Sequence, residues 1–183
     1  KMNKKEIVGG ILILTIITSL SGYLLAYVYK VTKPAIEKQQ KIEEDNINKE
    51  IFPDGVEFHE VEQGDIKYIS VLGSEGKEIG KIFTTTSPGY GGDIKIKIGV
   101  DEDLKIKGVK ILQHNETPGL GAKITEKNFL SQFDGKRKEE IYLKKDKSEG
   151  EIDAITGATI SSKAVTEGVR KLLETIEVEK NEN

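Results

Sequence analysis

The chain has 183 residues, of which 32% are charged, and its formal net charge is -3. A nucleic-acid-binding protein normally has an excess of basic residues, so this charge balance argues against that class. The chain has no cysteine, which excludes disulfides, thiolate chemistry and metal centres held by cysteine. Its length is sufficient for one folded domain with additional segments.

After a short flank at 1–6, residues 7–29 contain no charged side chain. As a helix they would be about 34 Å long, compared with about 30 Å for the hydrocarbon core of a bilayer. Tyr23, Tyr27 and Tyr29 lie at the far end, where amphipathic rings favour the membrane interface. A cleaved signal peptide would have a shorter apolar region and a small-residue cleavage site. We therefore predict one retained transmembrane helix in the lipid bilayer, whose orientation the flanking lysines do not decide.

Residues 30–51 are polar and rich in lysine and glutamate. Pro34 suits a position near the start of a helix. We predict a juxtamembrane helix here, and the sequence leaves a flexible tether as the alternative.

A folded domain is predicted over 52–176. Tyr68–Leu72 and Ile79–Phe83 are short β-like runs around a Gly-containing turn, which predicts a hairpin. The run D-I-K-I-K-I-G-V at 93–100 alternates, with its isoleucines on one face and Lys95 and Lys97 on the other. This pattern predicts a strand with one face in water.

The alternation resumes at Leu104 and Ile106 and shifts by one residue before Val109 and Ile111, so we expect a β-bulge at Gly108. The sequence further predicts a helix over 123–134 that ends at Gly135, a short strand over 140–145, and a long amphipathic final helix. We expect the charged tail at 177–183 to fray. The final helix has its apolar stripe at Val165, Val169, Leu172, Leu173 and Ile176.

Together these elements predict an α+β fold: an N-terminal transmembrane helix, then a mostly antiparallel sheet domain with flanking helices.

Three glycine-rich segments interrupt the periodic pattern, at 87–94, 114–124 and 153–162. Glycine permits a close approach of the backbone to a ligand, and loops of this kind often carry binding sites. Taken singly, each segment is also compatible with an ordinary turn. With two histidines, no cysteine and no H-E-x-x-H pattern, we predict no metal site. No nucleophile elbow or triad is present, so we predict no catalytic residue.

Thr159 lies at the start of the final helix, where unpaired N–H groups and the helix dipole favour a phosphate. Taken alone, these residues favour an ordinary helix cap by the threonine hydroxyl, worth about 1 kcal/mol, and a cap and a phosphate site are compatible.

Read together, the three segments resemble the FMN-binding domain of two related membrane-anchored flavoprotein subunits. These are the G subunit of the Rnf complex and the C subunit of the sodium-pumping NADH:quinone oxidoreductase. The family motif D-x-x-[ST]-G-A-T-x-[ST] matches Asp153–Ser161, while E-T-P-G-L-G matches Glu116–Gly121 and G-Y-G-G matches Gly89–Gly92. The resemblance covers roughly Lys67–Ile176, and the short chain favours the Rnf type.

The resemblance implies FMN joined by a phosphoester to Thr159, attached by a separate flavin transferase that uses FAD and Mg²⁺. A threonine hydroxyl is a poor nucleophile without an activating base, and the lack of such a base near Thr159 fits this picture. It also implies a domain on the extracytoplasmic side of the cell membrane. The implied cofactor-binding residues are Thr159, Thr156, Gly157, Ala158, Glu116, Thr117, Gly119, Leu120, Gly121 and Tyr90.

The function implied is that of an electron-carrier subunit in a membrane ferredoxin:NAD⁺ oxidoreductase that moves Na⁺ or H⁺, with other membrane subunits as partners. Two alternatives stay open at this point. One is a stand-alone flavinylated carrier for another reductase. The other is a membrane-tethered binding module without redox function, in which Thr159 only caps a helix.

Overall fold

The computed structural model describes residues 4–64, 66–148 and 150–182. Its first element, helix α1 (Lys4–Ile51), includes the uncharged stretch at 7–29. Among the described residues, α1 is the one helix that is long and apolar enough to cross a membrane. The chain divides into two compact units, one ending at Asp45 and the other beginning at Asn46.

Residues 30–51 are helical, but Pro34 lies inside α1 and not at a helix start. A proline in a helix interior removes one backbone N–H and costs about 3 kcal/mol. The flanking lysine, glutamate and glutamine residues are good helix formers, so the helix continues across the proline. The expected helix start near Pro34 was therefore wrong.

A five-stranded antiparallel sheet follows, with its strands in the order of the chain. Each strand pairs with the next, so consecutive strands can be joined by short turns. This sheet and its flanking helices confirm the predicted α+β class. The strands are β1 (Glu57–Gln63), β2 (Ile66–Leu72), β3 (Glu78–Pro88), β4 (Asp93–Val100) and β5 (Ile106–Gln113).

The pairing of β4 with β5 contains the predicted bulge. Gly99 pairs with Gly108, but Val100 pairs with Ile106, so Lys107 is the extra residue beside Gly108. Leu104 was expected in the strand, yet it lies in the preceding turn with φ of 58°. The Asp101 carboxylate organises that turn by accepting two backbone N–H groups, which is why the strand starts later than the alternation suggested.

One face of the sheet carries the main core. The isoleucines of β4 lie on this face, and the apolar stripe of the final helix, α2 (Thr159–Glu182), packs against them. Gly168 of α2 lies so close to the sheet that a Cβ there would be 2.9 Å from Ser87 Cβ. The helix continues to Glu182, and fraying of the charged tail stays a prediction.

The opposite face of the sheet is only partly the open, wet surface that the lysine alternation predicted, because Lys95 is exposed but Lys97 is not. The end of α1 covers part of this face, with Ile51 and Phe52 packed against Val71 and Ile82. Lys97 is only 3% exposed. The alternation was read correctly, but a strand pattern cannot show that a segment over 40 residues earlier covers its polar side.

The packing of Ile51 and Phe52 against the sheet gives a testable prediction at Gly99. A Cβ there would lie 2.2 Å from Ile51 Cγ2 and 2.7 Å from Phe52 Cε2. We expect Gly99→Ala to lower the free energy of unfolding by about 1–3 kcal/mol through overpacking. Urea unfolding of the full chain in detergent measures this change.

The matched control is its cross-strand partner Gly108, where a Cβ would meet Ile51 at 3.5 Å or more, an ordinary contact. Gly108→Ala should stay within about 0.5 kcal/mol of the parent protein. Equal effects of the two substitutions would contradict the packing described.

The region between β5 and α2 differs from the prediction. Instead of one helix over 123–134, it forms a 3-10 turn at Gly121–Thr125, a single helical turn at Lys127–Leu130 and a 3-10 turn at Ser131–Phe133. Glu126 is extended, with ψ of 141°, and interrupts the helix. The apolar residues of these turns are buried in the main core, so tertiary packing overrides the local preference for one helix.

The predicted strand over 140–145 is also wrong. Leu143 makes one isolated bridge with Ile152, and a 3-10 turn at Lys138–Glu140 precedes it.

Candidate functional site

The three glycine-rich segments meet around a cavity of about 580 Å³. It contains eight of the ten residues predicted from the sequence, and Thr156 and Gly119 are the two outside its lining. Ile160 and Ser161 line it in addition. The lining residues are Tyr90, Glu116, Thr117, Leu120, Gly121, Gly157, Ala158, Thr159, Ile160 and Ser161.

Thr159 is the first residue of α2 and is exposed to solvent. Ala158 precedes it as the capping residue, and the Ala158 carbonyl accepts the Ser162 N–H at 3.0 Å. Thr159 is therefore not the cap of this helix, so the cap that the residues alone favoured was wrong. Ala158 has no polar side chain, so the helix start lacks the usual oxygen of a capping residue.

The backbone N–H groups of Thr159, Ile160 and Ser161 have no hydrogen-bond partner among the described residues. The first N–H groups of a helix cannot bond within the helix, and together with the helix dipole they favour an anion. All three residues line the cavity. The site therefore presents a concentration of unused donors beside an exposed hydroxyl.

A tight turn immediately precedes this helix start. The Ala158 N–H donates to the Ile155 carbonyl at 2.9 Å, and Gly157 between them has φ of 79°. Ser162, which sequence reasoning missed, holds the turn to the helix. Its hydroxyl accepts the Ile155 N–H at 3.0 Å and donates to the Ala158 carbonyl at 2.9 Å.

The Thr-Pro-Gly-Leu segment forms a second turn at the cavity. The Leu120 N–H donates to the Thr117 carbonyl at 3.2 Å, and Gly119 has φ of 77°. Proline followed by glycine suits the two central positions of a type II turn. This turn places Leu120 at the cavity with 47% of its surface exposed.

Glu116 connects all three segments. It is only 4% exposed. Its Oε1 accepts the N–H groups of Tyr90 at 2.8 Å and Gly91 at 3.1 Å, and its Oε2 accepts the Ser161 hydroxyl. One buried carboxylate thus joins the β3–β4 hairpin, the segment after β5 and the start of α2.

Several glycines of the site make room for protein groups. A Cβ on Gly89 would lie 2.2 Å from Glu116 Oε1, and one on Gly121 would lie 2.6 Å from Glu116 Oε2. A Cβ on Gly91 would lie 2.0 Å from the Asn115 carbonyl oxygen. The sequence-based expectation was that these glycines allow a ligand to approach, but their closest neighbours are Glu116 and Asn115.

Both histidines are engaged in local contacts. The His114 Nδ1 accepts the Glu116 N–H at 3.2 Å, and His59 lies 3.0 Å from the Glu57 carboxylate. Across residues 4–64, 66–148 and 150–182, no three potential ligand side chains are grouped to hold a metal ion.

Three apolar side chains remain exposed at the rim of the cavity. Tyr90 is 69% exposed, Ile160 is 55% exposed and Leu120 is 47% exposed. Exposed apolar surface around a cavity with convergent polar groups is typical of a ligand site. Ile160 could have been found in the sequence as an apolar residue outside the buried stripe of α2.

A second cleft, of about 380 Å³, lies at the other end of β3 near Tyr68, Lys81 and Ile176. None of its lining residues comes from the three glycine-rich segments. We therefore place the candidate site in the first cavity, where those segments meet.

Comparisons with known proteins give matches both in sequence and in fold. The FMN-binding domain family matches residues 89–174, a range that includes all three segments apart from the first two residues of 87–94. The C subunit of the sodium-pumping NADH:quinone oxidoreductase (NqrC) from Shewanella oneidensis has a similar fold, with a TM-score of 0.50 at 22% identity over 65% of each chain. At this identity the likeness concerns the fold alone.

Relatives similar over nearly the whole chain are the G subunits of ion-translocating complexes. The one from the proton-translocating ferredoxin:NAD⁺ oxidoreductase of Clostridium ljungdahlii is 39% identical, over 89% of this chain and 88% of the relative. The Na⁺-translocating counterpart of Acetobacterium woodii is 35% identical over 86% of both chains. The relative from Methanosarcina acetivorans is 30% identical over 94% of this chain and 95% of its own length.

These matches confirm the family predicted from the three motifs. Ion translocation takes place across a membrane, which agrees with the apolar stretch of α1 and assigns the protein to the membrane. The chain belongs to the family of G subunits of Rnf-type ion-translocating oxidoreductase complexes, as an electron-transfer subunit with an FMN-binding domain.

Proposed function

We propose that this subunit holds FMN covalently, through a phosphoester to the Thr159 hydroxyl, and relays electrons between other subunits of its complex. The observation that carries this proposal is the position of Thr159. Its hydroxyl is exposed at the wall of the cavity, on the first residue of α2, next to three backbone N–H groups without a protein partner among the described residues.

The helix start suits the phosphate of the proposed cofactor. A phosphate esterified to both the flavin chain and Thr159 keeps one negative charge. That charge would face the N–H groups of Thr159, Ile160 and Ser161 at the positive end of the helix dipole. Helix starts of this kind are common phosphate sites. No lysine or arginine is found among the described residues that line the cavity.

The rest of the cavity suits a flat, largely apolar ring system. Tyr90, Leu120 and Ile160 expose apolar surface at its rim, and the volume is in the range of small-molecule sites. Covering these side chains would remove their apolar surface from water, which is favourable at about 25 cal/mol per Å².

The carboxylate of Glu116 in the cavity lining already accepts three protein hydrogen bonds, and no histidine, lysine or other carboxylate is found among the described lining residues. The lack of a free activating base near Thr159 supports attachment by a second enzyme. In transfer from FAD, the Thr159 oxygen bonds to the FMN phosphorus and the bond between the two FAD phosphates breaks. AMP leaves, and the hydroxyl proton passes to a base of the transferase. We propose a flavin transferase that uses FAD and Mg²⁺ for this step, because a threonine hydroxyl alone is too weak a nucleophile.

Once attached, FMN supplies the electron transfer, and the protein holds and orients it. The proposed partners are the other membrane subunits of the complex. We propose that the sheet domain lies on the extracytoplasmic side, where covalent attachment prevents loss of the cofactor. The coupling ion is Na⁺ or H⁺, since relatives of both kinds share similar identity with this chain.

The intact mass of the protein purified from membranes tests the attachment. Protein from cells that contain the transferase should be heavier than the bare chain by the mass of FMN less one water. Protein from cells without the transferase should have the bare mass. An unmodified chain from the first source would contradict the proposal.

Co-purification tests the assignment to a complex. We expect the flavinylated subunit to bring down partners with several membrane spans and partners that carry iron–sulfur clusters. A flavinylated chain that purifies alone under mild detergent conditions would instead indicate a stand-alone carrier.

A further inference from the structure

We infer that Glu116 is a positioning residue: its buried carboxylate assembles the three walls of the cavity before any flavin is attached, and it does not bind the flavin itself. The inference deepens the proposed function. Only the effect on flavin attachment, measured in the second experiment, rests on that proposed function. The inference rests on the positions of the two carboxylate oxygens and on the groups that donate hydrogen bonds to them.

Both oxygens of Glu116 are already used by the protein. Oε1 accepts two backbone N–H groups, from Tyr90 at 2.8 Å and from Gly91 at 3.1 Å, and Oε2 accepts the Ser161 hydroxyl. With 4% of the residue exposed, little of it remains for a ligand. Although Glu116 belongs to the cavity lining, its hydrogen bonds are directed into the protein.

The partners of Glu116 are distant in the sequence. Tyr90 and Gly91 are 26 and 25 residues before it, and Ser161 is 45 residues after it. These bonds therefore link three distant segments directly at the cavity, in addition to the pairing of β4 with β5 and the packing of α2 on the sheet. The walls that they fix carry Tyr90, Leu120 and Thr159, which would surround the cofactor.

The charge of Glu116 is compensated locally. Among the described residues no lysine or arginine forms an ion pair with it, and its donors are two N–H dipoles and one hydroxyl. Ser161 is the third residue of α2, so the carboxylate also lies at the positive end of that helix. A buried carboxylate with this set of donors is stable without a ligand or a metal ion.

Two glycines make room for the Glu116 carboxylate. The sites of Gly89 and Gly121 would place a Cβ 2.2 Å and 2.6 Å from its two oxygens. The backbone of both segments therefore closes on Glu116 within van der Waals contact. A smaller side chain at 116 would leave the hydrogen-bond donors without an acceptor and this space empty.

Substitution of Glu116 by glutamine or by alanine distinguishes a positioning role of the side chain from a role of its charge. A glutamine at 116 could accept both N–H groups through Oε1 and donate through Nε2 to the Ser161 oxygen, so it keeps the links without the charge. Alanine removes the links. Positioning therefore predicts that Glu116→Gln rescues what Glu116→Ala loses.

The first experiment measures amide hydrogen exchange in the full chain carrying Thr159→Ala, which holds no flavin at that residue. We expect peptides covering 89–92 to exchange about tenfold faster in Glu116→Ala than in the parent, and Glu116→Gln to resemble the parent. Unchanged exchange in Glu116→Ala would overturn the inference. Because this readout involves no flavin, it stands whether or not Thr159 is the attachment residue.

The matched control is Glu126, an exposed glutamate ten residues later. Glu126→Ala should leave exchange over 89–92 unchanged, and a change as large as that of Glu116→Ala would overturn the inference. If Glu116→Ala does not fold, Ser161→Ala takes its place. It breaks only the link to α2, so exchange over 116–121 should rise while 89–92 stays protected. No rise over 116–121 would count against the inference.

The second experiment measures flavin attachment to the Thr159-containing chain by purified transferase and FAD. We expect attachment to Glu116→Ala to slow by about tenfold and attachment to Glu116→Gln to match the parent. The absorption spectrum of the attached flavin should be the same in the parent and in Glu116→Gln. A Glu116→Gln protein with protected loops but a shifted spectrum would show that Glu116 acts on the flavin directly, and would overturn the inference.

Discussion

Thr159→Ala is expected to give a folded protein with no attached flavin. Alanine has no oxygen to form the phosphoester, so the intact mass should equal that of the bare chain even in cells with the transferase. Thr159 is exposed, and among the described residues its hydroxyl has no partner, so the free energy of unfolding should change by about 0.5 kcal/mol or less. Intact mass and flavin fluorescence of the denatured band measure attachment, and urea unfolding measures stability.

The matched control for this substitution is Thr175→Ala. Thr175 is another exposed threonine of α2, and its hydroxyl donates to the Lys171 carbonyl within the helix. This variant should keep the full flavin mass. A flavin mass that survives Thr159→Ala would place the attachment at another residue, and the proposed phosphate site at the start of α2 would then be wrong.

Gly91→Ala is expected to have the second largest effect, because its clash is with backbone. A Cβ at this position would lie 2.0 Å from the Asn115 carbonyl oxygen and 2.8 Å from its carbon. No side-chain rotation relieves such a contact. The β3–β4 hairpin must therefore move away from the segment that carries Glu116, with loss of the Tyr90 and Gly91 hydrogen bonds.

We expect Gly91→Ala to destabilise the protein by about 1–3 kcal/mol and to slow flavin attachment strongly. Thermal unfolding of the full chain in detergent and the fraction of flavinylated mass are the measurements. The control is Gly76→Ala, in the turn between β2 and β3. Gly76 has φ of 70° but open space at its Cβ position, so alanine there adds only backbone strain, roughly 1 kcal/mol.

Gly76 lies at the opposite end of β3 from the cavity, so Gly76→Ala should leave flavin attachment intact. If Gly91→Ala matched Gly76→Ala in both stability and attachment, the contact between the hairpin and Asn115 would have no role in the site.

The sequence motifs located the cavity but explained its glycines incompletely. Three ordered motifs predicted that the segments containing Tyr90, Glu116 and Thr159 serve one site, and the structure brings these residues to one cavity. The glycines were expected to admit a ligand. The positions of Gly89, Gly91 and Gly121 show that they admit the Glu116 carboxylate and the Asn115 carbonyl. A motif shows where small residues occur, but it does not show which atom fills the space beside them.

Local patterns in the sequence determined the apolar stretch of α1, the antiparallel strands, the bulge beside Gly108 and the start of α2 near Thr159. Each of these depends on neighbouring residues, through apolar length, two-residue alternation or helical periodicity. The family likewise followed from short motifs, since each of them lies within one segment of the chain.

Only the tertiary structure decided which groups meet across the chain. It buried Lys97 within the sheet domain, divided the expected helix at 123–134 into short turns, and directed Glu116 to partners 25 to 45 residues away. The physical reason is the same in each case. Burial and hydrogen bonding between distant segments depend on how the sheet and α2 pack, and no local period in the sequence records that packing.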